Sequence, residues 1–190
     1  MEIINFKNRI ENVHDGENWF VENIDQNNNW TIISNLEIKQ NKKYSTKEGE
    51  IDFLVMIPQV GMTIIEIKSH KNLELKNNQF YENGVILKTQ PIEQSEKQRH
   101  SLMDYLKSNL PANLGDVSKI GCARIVLLPF SELFFSESVS FRKSEIIDKY
   151  KLSENNLNSL IENSIKEHFS NYQSSPSFFS EKNIDSISKS

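Results

Sequence analysis

Asp52, Glu66 and Lys68 are charged residues set among Ile, Leu and Val, in the runs Gly49-Glu50-Ile51-Asp52-Phe53-Leu54-Val55 and Gly61-Met62-Thr63-Ile64-Ile65-Glu66-Ile67-Lys68. Burying a carboxylate costs several kcal/mol unless it is paired or bound to a cation, so charge at these positions needs a reason. Glu66 and Lys68 stand two apart and share one face of a strand. If Met56 pairs with Met62 across the five-residue connection Ile57–Gly61, Asp52 falls opposite Glu66 on that same face. A connection one residue shorter would put the two acids on opposite faces. Two facing carboxylates repel, and one takes up a proton unless a divalent cation neutralises the pair. Oxygen donors completed by water suit Mg²⁺ or Mn²⁺ rather than zinc, which prefers His and Cys. Such an ion would polarise a phosphodiester and acidify a bound water, with Lys68 placed to orient that water and stabilise charge at phosphorus. The chemistry expected is metal-dependent phosphodiester hydrolysis.

Two further polar residues point at the same place. Glu17 interrupts the apolar face of Val13, Phe20, Val21 and Ile24 on an N-terminal helix, and is a candidate ligand for the metal or its water. Gln94 extends the stripe of Gln98, Leu102 and Tyr105 on a later helix, and is a candidate to fix the site or a phosphate. Acting against both, a Glu or Gln at a helix end is usually solvated. His70, just past Lys68, is a candidate phosphate contact or proton donor, although an exposed loop position is the default. His14, His70, His100 and His168 form no zinc-ligand spacing with one another or with a cysteine. No glycine-rich phosphate loop and no Gly-x-Ser-x-Gly elbow is present, which excludes an ATP-driven motor within this chain and a serine hydrolase.

The elements that must position these groups follow from periodicity. A helix is expected over about Lys7–Ile24, or from Asp15 onward with Asp15 as its cap. Trp30–Ile38, Glu50–Ile57 and Met62–Lys68 read as strands, with Pro58 and Gly61 marking a hairpin between the last two. Those two are apolar at nearly every position, as central strands covered on both faces are. Phe80-Tyr81 and Val85–Leu87 read as short strands, about Gln90–Leu110 as a helix and Ile120–Leu128 as a strand. Helices are expected over about Lys143–Lys151 and Ser153–Phe169, the second capped by Ser153. This is an α/β domain with a mixed sheet over residues 1–170, followed by a Ser-rich tail or linker over 171–190.

Net charge of −4 argues against a purely electrostatic nucleic-acid binder, but not against a nuclease whose acidic site binds cations. Lys39, Lys42, Lys43 and Lys47 form a local basic stretch before the key motif, readable also as a solvated loop. Cys122 is the single cysteine and lies in an apolar run, which reads as a buried structural thiol. A single cysteine can form no internal disulfide, so a reducing, cytoplasmic setting is expected; Met1–Asn5 lacks the features of a signal peptide, and no apolar run reaches membrane length.

Gly16-Glu17, Glu50-Ile51-Asp52-Phe53-Leu54-Val55, Gly61 before Ile64-Ile65-Glu66-Ile67-Lys68, and Pro91 followed by Gln94 resemble the nuclease-related domain, NERD, in order and spacing. The likeness spans roughly Asp15–Leu106, about half the chain. That family is similar to a branch of the PD-(D/E)XK nucleases. The resemblance implies a restriction-endonuclease-like core, a mixed central sheet flanked by helices, with DNA as substrate. It implies Asp52 and Glu66 as metal ligands, Lys68 as catalytic, and Glu17 and Gln94 in supporting roles. It also implies a helicase domain or partner protein as a working companion, in DNA defence or repair; domains of this type often act as homodimers. One departure is that Ser69-His70-Lys71-Asn72 follows the Glu-x-Lys strand where the family commonly has a glycine. The rival reading is a catalytically inactive nucleic-acid-binding or protein-interaction module on the same fold; intact Asp52, Glu66 and Lys68 speak against it.

Overall fold

The computed structural model describes residues 2–4, 15–25, 28–38, 49–110, 121–135, 140–170 and 180–188. Along the chain run β1 (Glu2–Ile4), α1 (Asp15–Asn23), β2 (Thr31–Ile38), β3 (Gly49–Ile57), β4 (Gly61–Ile67), β5 (Leu73–Lys76), β6 (Gln79–Glu82) and β7 (Val85–Ile86). Then come α2 (Pro91–Asn109), β8 (Ala123–Leu128), β9 (Ile146–Asp148), α3 (Lys149–Glu154), α4 (Leu157–Ser170) and α5 (Glu181–Ser188). A six-stranded sheet in the order β1-β2-β3-β4-β8-β9 forms the centre, and β5-β6-β7 form a small second sheet. The β2-β3-β4 part is antiparallel, while β8 lies parallel to β4 and β9 parallel to β8. This is the mixed sheet flanked by helices expected of a restriction-endonuclease-like core. None of the described helices is long and apolar enough to cross a membrane.

The apolar runs explain why β3 and β4 are central. Every residue of β4 is buried, because helices cover both faces. On one face Phe53 stacks against Phe20 of α1 with ring centroids 4.4 Å apart, and Gly61 meets α4. A side chain at Gly61 would come within 2.5 Å of the Phe169 ring, and its φ of +146° suits glycine in any case. On the other face lies α2, whose Ser95, Gln98, Leu102 and Leu106 are buried. The small sheet is fastened to the start of α2 by Gln90, whose Oε1 accepts from Phe80 N–H at 2.7 Å and whose Nε2 donates to Leu87 O at 2.8 Å. Cys122 is 1 % exposed, and burial pushes its thiol up to about 12, so it is the inert structural thiol expected.

Strands β1 and β5 were not expected from the sequence, and three further features depart from the sequence reading. The helix expected over Lys143–Lys151 is a 3₁₀ turn (Lys143–Glu145), then β9, then α3. Ile146 and Ile147 are buried as an added parallel strand, and Asp148 caps α3 by accepting from Lys151 N–H at 3.1 Å. Ser153 does not cap the next helix: its hydroxyl donates back to Tyr150 O, and Asn156 Oδ1 instead accepts from Asn158 N–H at 2.9 Å at the start of α4. Within the stretch expected as a Ser-rich tail, α5 lies against β2 with Ile184 and Ile187 buried in the main core. The part of the expected first helix before Asp15, the Lys39–Lys47 basic stretch and Ile120 lie outside the described residues.

Candidate metal and nucleic-acid site

Met56 pairs with Met62, the register on which the sequence argument turned. Ile57 and Gly61 pair as well, so the reversal itself is only Pro58–Val60, closed by Val60 N–H donating to Ile57 O at 3.1 Å. The ladder between β3 and β4 runs to Phe53↔Ile65, and one more step in this register sets Asp52 opposite Glu66. There the pairing gives way: the Ile67 N–H donates to Oδ2 of Asp52 at 2.7 Å. A side-chain carboxylate thus takes a backbone donor at the end of the hairpin ladder, and that bond fixes the Asp52 carboxyl beside the Glu66-bearing strand.

Glu66 is 1 % exposed and held through both oxygens. Its Oε1 lies 2.6 Å from Lys68 Nζ, and its Oε2 accepts from Gln98 Nε2 at 2.7 Å. Lys68 also donates to Gln94 Oε1 at 3.1 Å, and its backbone N–H continues the β4–β8 pairing by donating to Leu127 O. Strand β4 therefore delivers the acid and the base on one face, and α2 reaches down with two glutamines one turn apart. Gln94 was expected here. Gln98 was read only as part of the helix stripe; the available signal was that a buried glutamine in line with Leu102 and Leu106 must have partners.

Glu17 approaches from α1. It is 9 % exposed and lines a cleft of about 570 Å³ together with Ile67, Lys68, Ser69, His70, Lys71 and Glu82. Its placement depends on the preceding glycine. The Gly16 N–H donates to Ser69 Oγ at 2.9 Å, and a Cβ at Gly16 would lie 2.6 Å from Ile67 Cγ2. The first turn of α1 can therefore lie directly on the end of β4 only without a side chain at 16. His70, on the cleft wall, has Nδ1 2.9 Å from Glu82 Oε1 of the small sheet. Ser69 and His70 thus occupy the stretch where the family glycine was missing, and Ser69 supplies the acceptor for the α1 terminus.

Electrostatics mark Asp52 as the strained member of the set. Burial, then the nearby Glu66 charge, push its carboxyl up to about 8, and Glu17 adds to the rise; the Ile67 N–H and Lys68 oppose it. A cation beside Asp52 and Glu66 would relieve this repulsion, so the donor chemistry fits a hard divalent ion. Among the described residues no group of three or more His, Cys, Asp or Glu is disposed to hold a metal ion. Asp52 and Glu66 offer carboxylate oxygens, the donor type that hard divalent ions take.

Residues 13–129 match the family described as NERD, nuclease-related domain. Searches of curated proteins and of solved structures return no match.

Proposed function

Because the chain belongs to the nuclease-related domain family, we propose that it is a divalent-metal-dependent nuclease hydrolysing DNA phosphodiester bonds at Asp52, Glu66 and Lys68. The observation that carries this reading is the meeting of two repelling carboxylates and an ammonium where the ladder between β3 and β4 ends, beside an open cleft. Mg²⁺ or Mn²⁺ held by Asp52 and Glu66 would supply Lewis acidity toward the phosphodiester and an acidified water. Lys68, steadied by Gln94, carries positive charge to the attacked phosphate and stabilises the negative charge that grows there. Glu17 faces the same cleft, where it would hold the metal or a water bound to it. Ser69, His70 and Lys71 line the path a nucleic-acid backbone would take past Lys68. A helicase domain or partner protein, a homodimeric arrangement, a cytoplasmic setting and a role in DNA defence or repair belong to the same proposal.

The test is cleavage of plasmid and of linear single- and double-stranded DNA with Mg²⁺, Mn²⁺ or EDTA, wild type beside Lys68→Ala. Metal-dependent cutting that the substitution abolishes is the expected result. Cutting that persists in EDTA, or that survives Lys68→Ala undiminished, overturns the assignment.

A further inference from the structure

Gln98 is 4 % exposed and spends its whole amide nitrogen on the site. Nε2 donates to Glu66 Oε2 at 2.7 Å and to the Glu50 carbonyl at 2.7 Å, so it ties the acid of β4 to the backbone of β3. Both partners are oxygens that only accept. The flipped amide would turn Oε1 against a carboxylate and a carbonyl, so these neighbours fix which end points where. The consequence is visible at the other end, where Gln98 Oε1 is buried without a hydrogen-bond partner. Packing alone would favour leucine here, in line with Leu102 and Leu106. A glutamine that leaves its own acceptor unmatched to keep both donors on Glu50 and Glu66 is placed for Glu66, not for itself.

We propose that Gln98 is a positioning residue that immobilises Oε2 of Glu66 and thereby reserves Oε1, the oxygen now facing Lys68, for exchange between that ammonium and a divalent ion. The proposal rests on the metal-dependent reading above. Without Gln98, Glu66 is free to turn, to present either oxygen, or to close more fully on Lys68. With it, the acid would meet the ion in one orientation, and Lys68, already bonded to Gln94, would be left to face the substrate.

The experiment compares wild type with Gln98→Met, which keeps length and suits the apolar stripe. Mn²⁺ binding by calorimetry and cleavage kinetics are measured on both. Loss of an outer partner of a metal-ligating carboxylate predicts Mn²⁺ affinity lower by about 10- to 100-fold. The fall in rate should appear in kcat, with KM for DNA within about twofold of wild type. A lowered melting temperature with Mn²⁺ affinity and kcat unchanged would mean a merely structural glutamine and overturn the proposal. Independently of any variant, the side-chain amide protons of Gln98 in wild type should stay protected from exchange, by ¹⁵N NMR, before and after Mg²⁺ saturation. Their release on adding Mg²⁺ would equally overturn it. A wild type that binds neither ion removes the metal-dependent reading and this proposal together, whereas equal binding by wild type and Gln98→Met removes only the role of Gln98.

Discussion

The ammonium of Lys68 lies 2.6 Å from Oε1 of Glu66, so the strand that carries the buried acid also carries its counter-charge two residues on. The pair is compact because both side chains leave one face of the same strand, and it is partly dry because α2 covers it. Lys68 thereby occupies an oxygen that the proposed metal would need, and the two cations would compete for Glu66.

Lys68→Ala is expected to separate binding from catalysis. Removing a charge that stabilises the transition state costs about 10²–10³ in kcat. Removing a competitor for Glu66 should tighten Mn²⁺ binding, which calorimetry reads directly. In EDTA the variant should melt below wild type, since Glu66 loses its ion partner, and Mn²⁺ should restore much of the difference. Weaker Mn²⁺ binding in the variant would contradict the competition.

Asp52 sets a pH dependence with a definite sign. An unfolded aspartate loses its proton near 3.9, whereas Asp52 in the folded chain holds it up to about 8. Between those values the folded state binds the extra proton. The contribution of this group to stability is therefore full below the unfolded value and is lost as pH rises through about 8. Melts in EDTA from pH 5 to 9 should show this decline, and Asp52→Asn should flatten that part of the curve. At pH 7 metal uptake must displace the proton, so about one proton per ion should be released, measurable by calorimetry in buffers of different ionisation heat. No proton release at pH 7 would mean that Asp52 does not carry its proton into metal binding, against the raised carboxyl.

The hairpin of β3 and β4 was legible in the sequence from the Pro58–Gly61 punctuation, but its register stayed conditional because strands apolar at nearly every position do not fix it; the pairing of Met56 with Met62 is the one that sets Asp52 opposite Glu66. The same reasoning found Gln94, since an i, i+4 stripe on α2 points at the face of Glu66. Gln98 was placed in that stripe but given no role, because nothing in the sequence names its acceptors, Glu66 and the Glu50 carbonyl. Strand β9 was misread because three residues carry no period, and the following Lys149–Glu154 pulls the local propensity toward helix. Ile184 and Ile187 are three apart, but the Ser-rich composition around them hides a face that only β2 reveals.

That last feature predicts that the folding core reaches beyond residue 170. Ile184 is 2 % exposed and sits in the same apolar cluster as Ile32, Phe53 and Ile65. Ile184→Ala should cost about 2–4 kcal/mol of unfolding free energy, read as a lower denaturant midpoint with unchanged slope. Cleavage below the melting range should be unaffected, because α5 lies against β2 and not beside the cleft. A change within error of zero would mean that α5 does not dock in solution.

Gly16 tests how the helix that brings Glu17 depends on close approach. A methyl group there would meet Ile67 Cγ2 at 2.6 Å and Ser69 Oγ at 2.8 Å, and Ile67 sits on a central strand that cannot retreat. Gly16→Ala must therefore lift the first turn of α1 away from β4, breaking the 2.9 Å bond from Gly16 N–H to Ser69 Oγ. Overpacking of this kind costs about 1–3 kcal/mol. Ser69→Ala loses the same hydrogen bond without any clash and should cost only about 1 kcal/mol. If Glu17 acts from its present place, cleavage should fall further in Gly16→Ala than in Ser69→Ala, compared at temperatures where both are folded. Equal activity in the two variants, with Gly16→Ala clearly less stable, would show that α1 serves stability and that Glu17 is dispensable to the reaction.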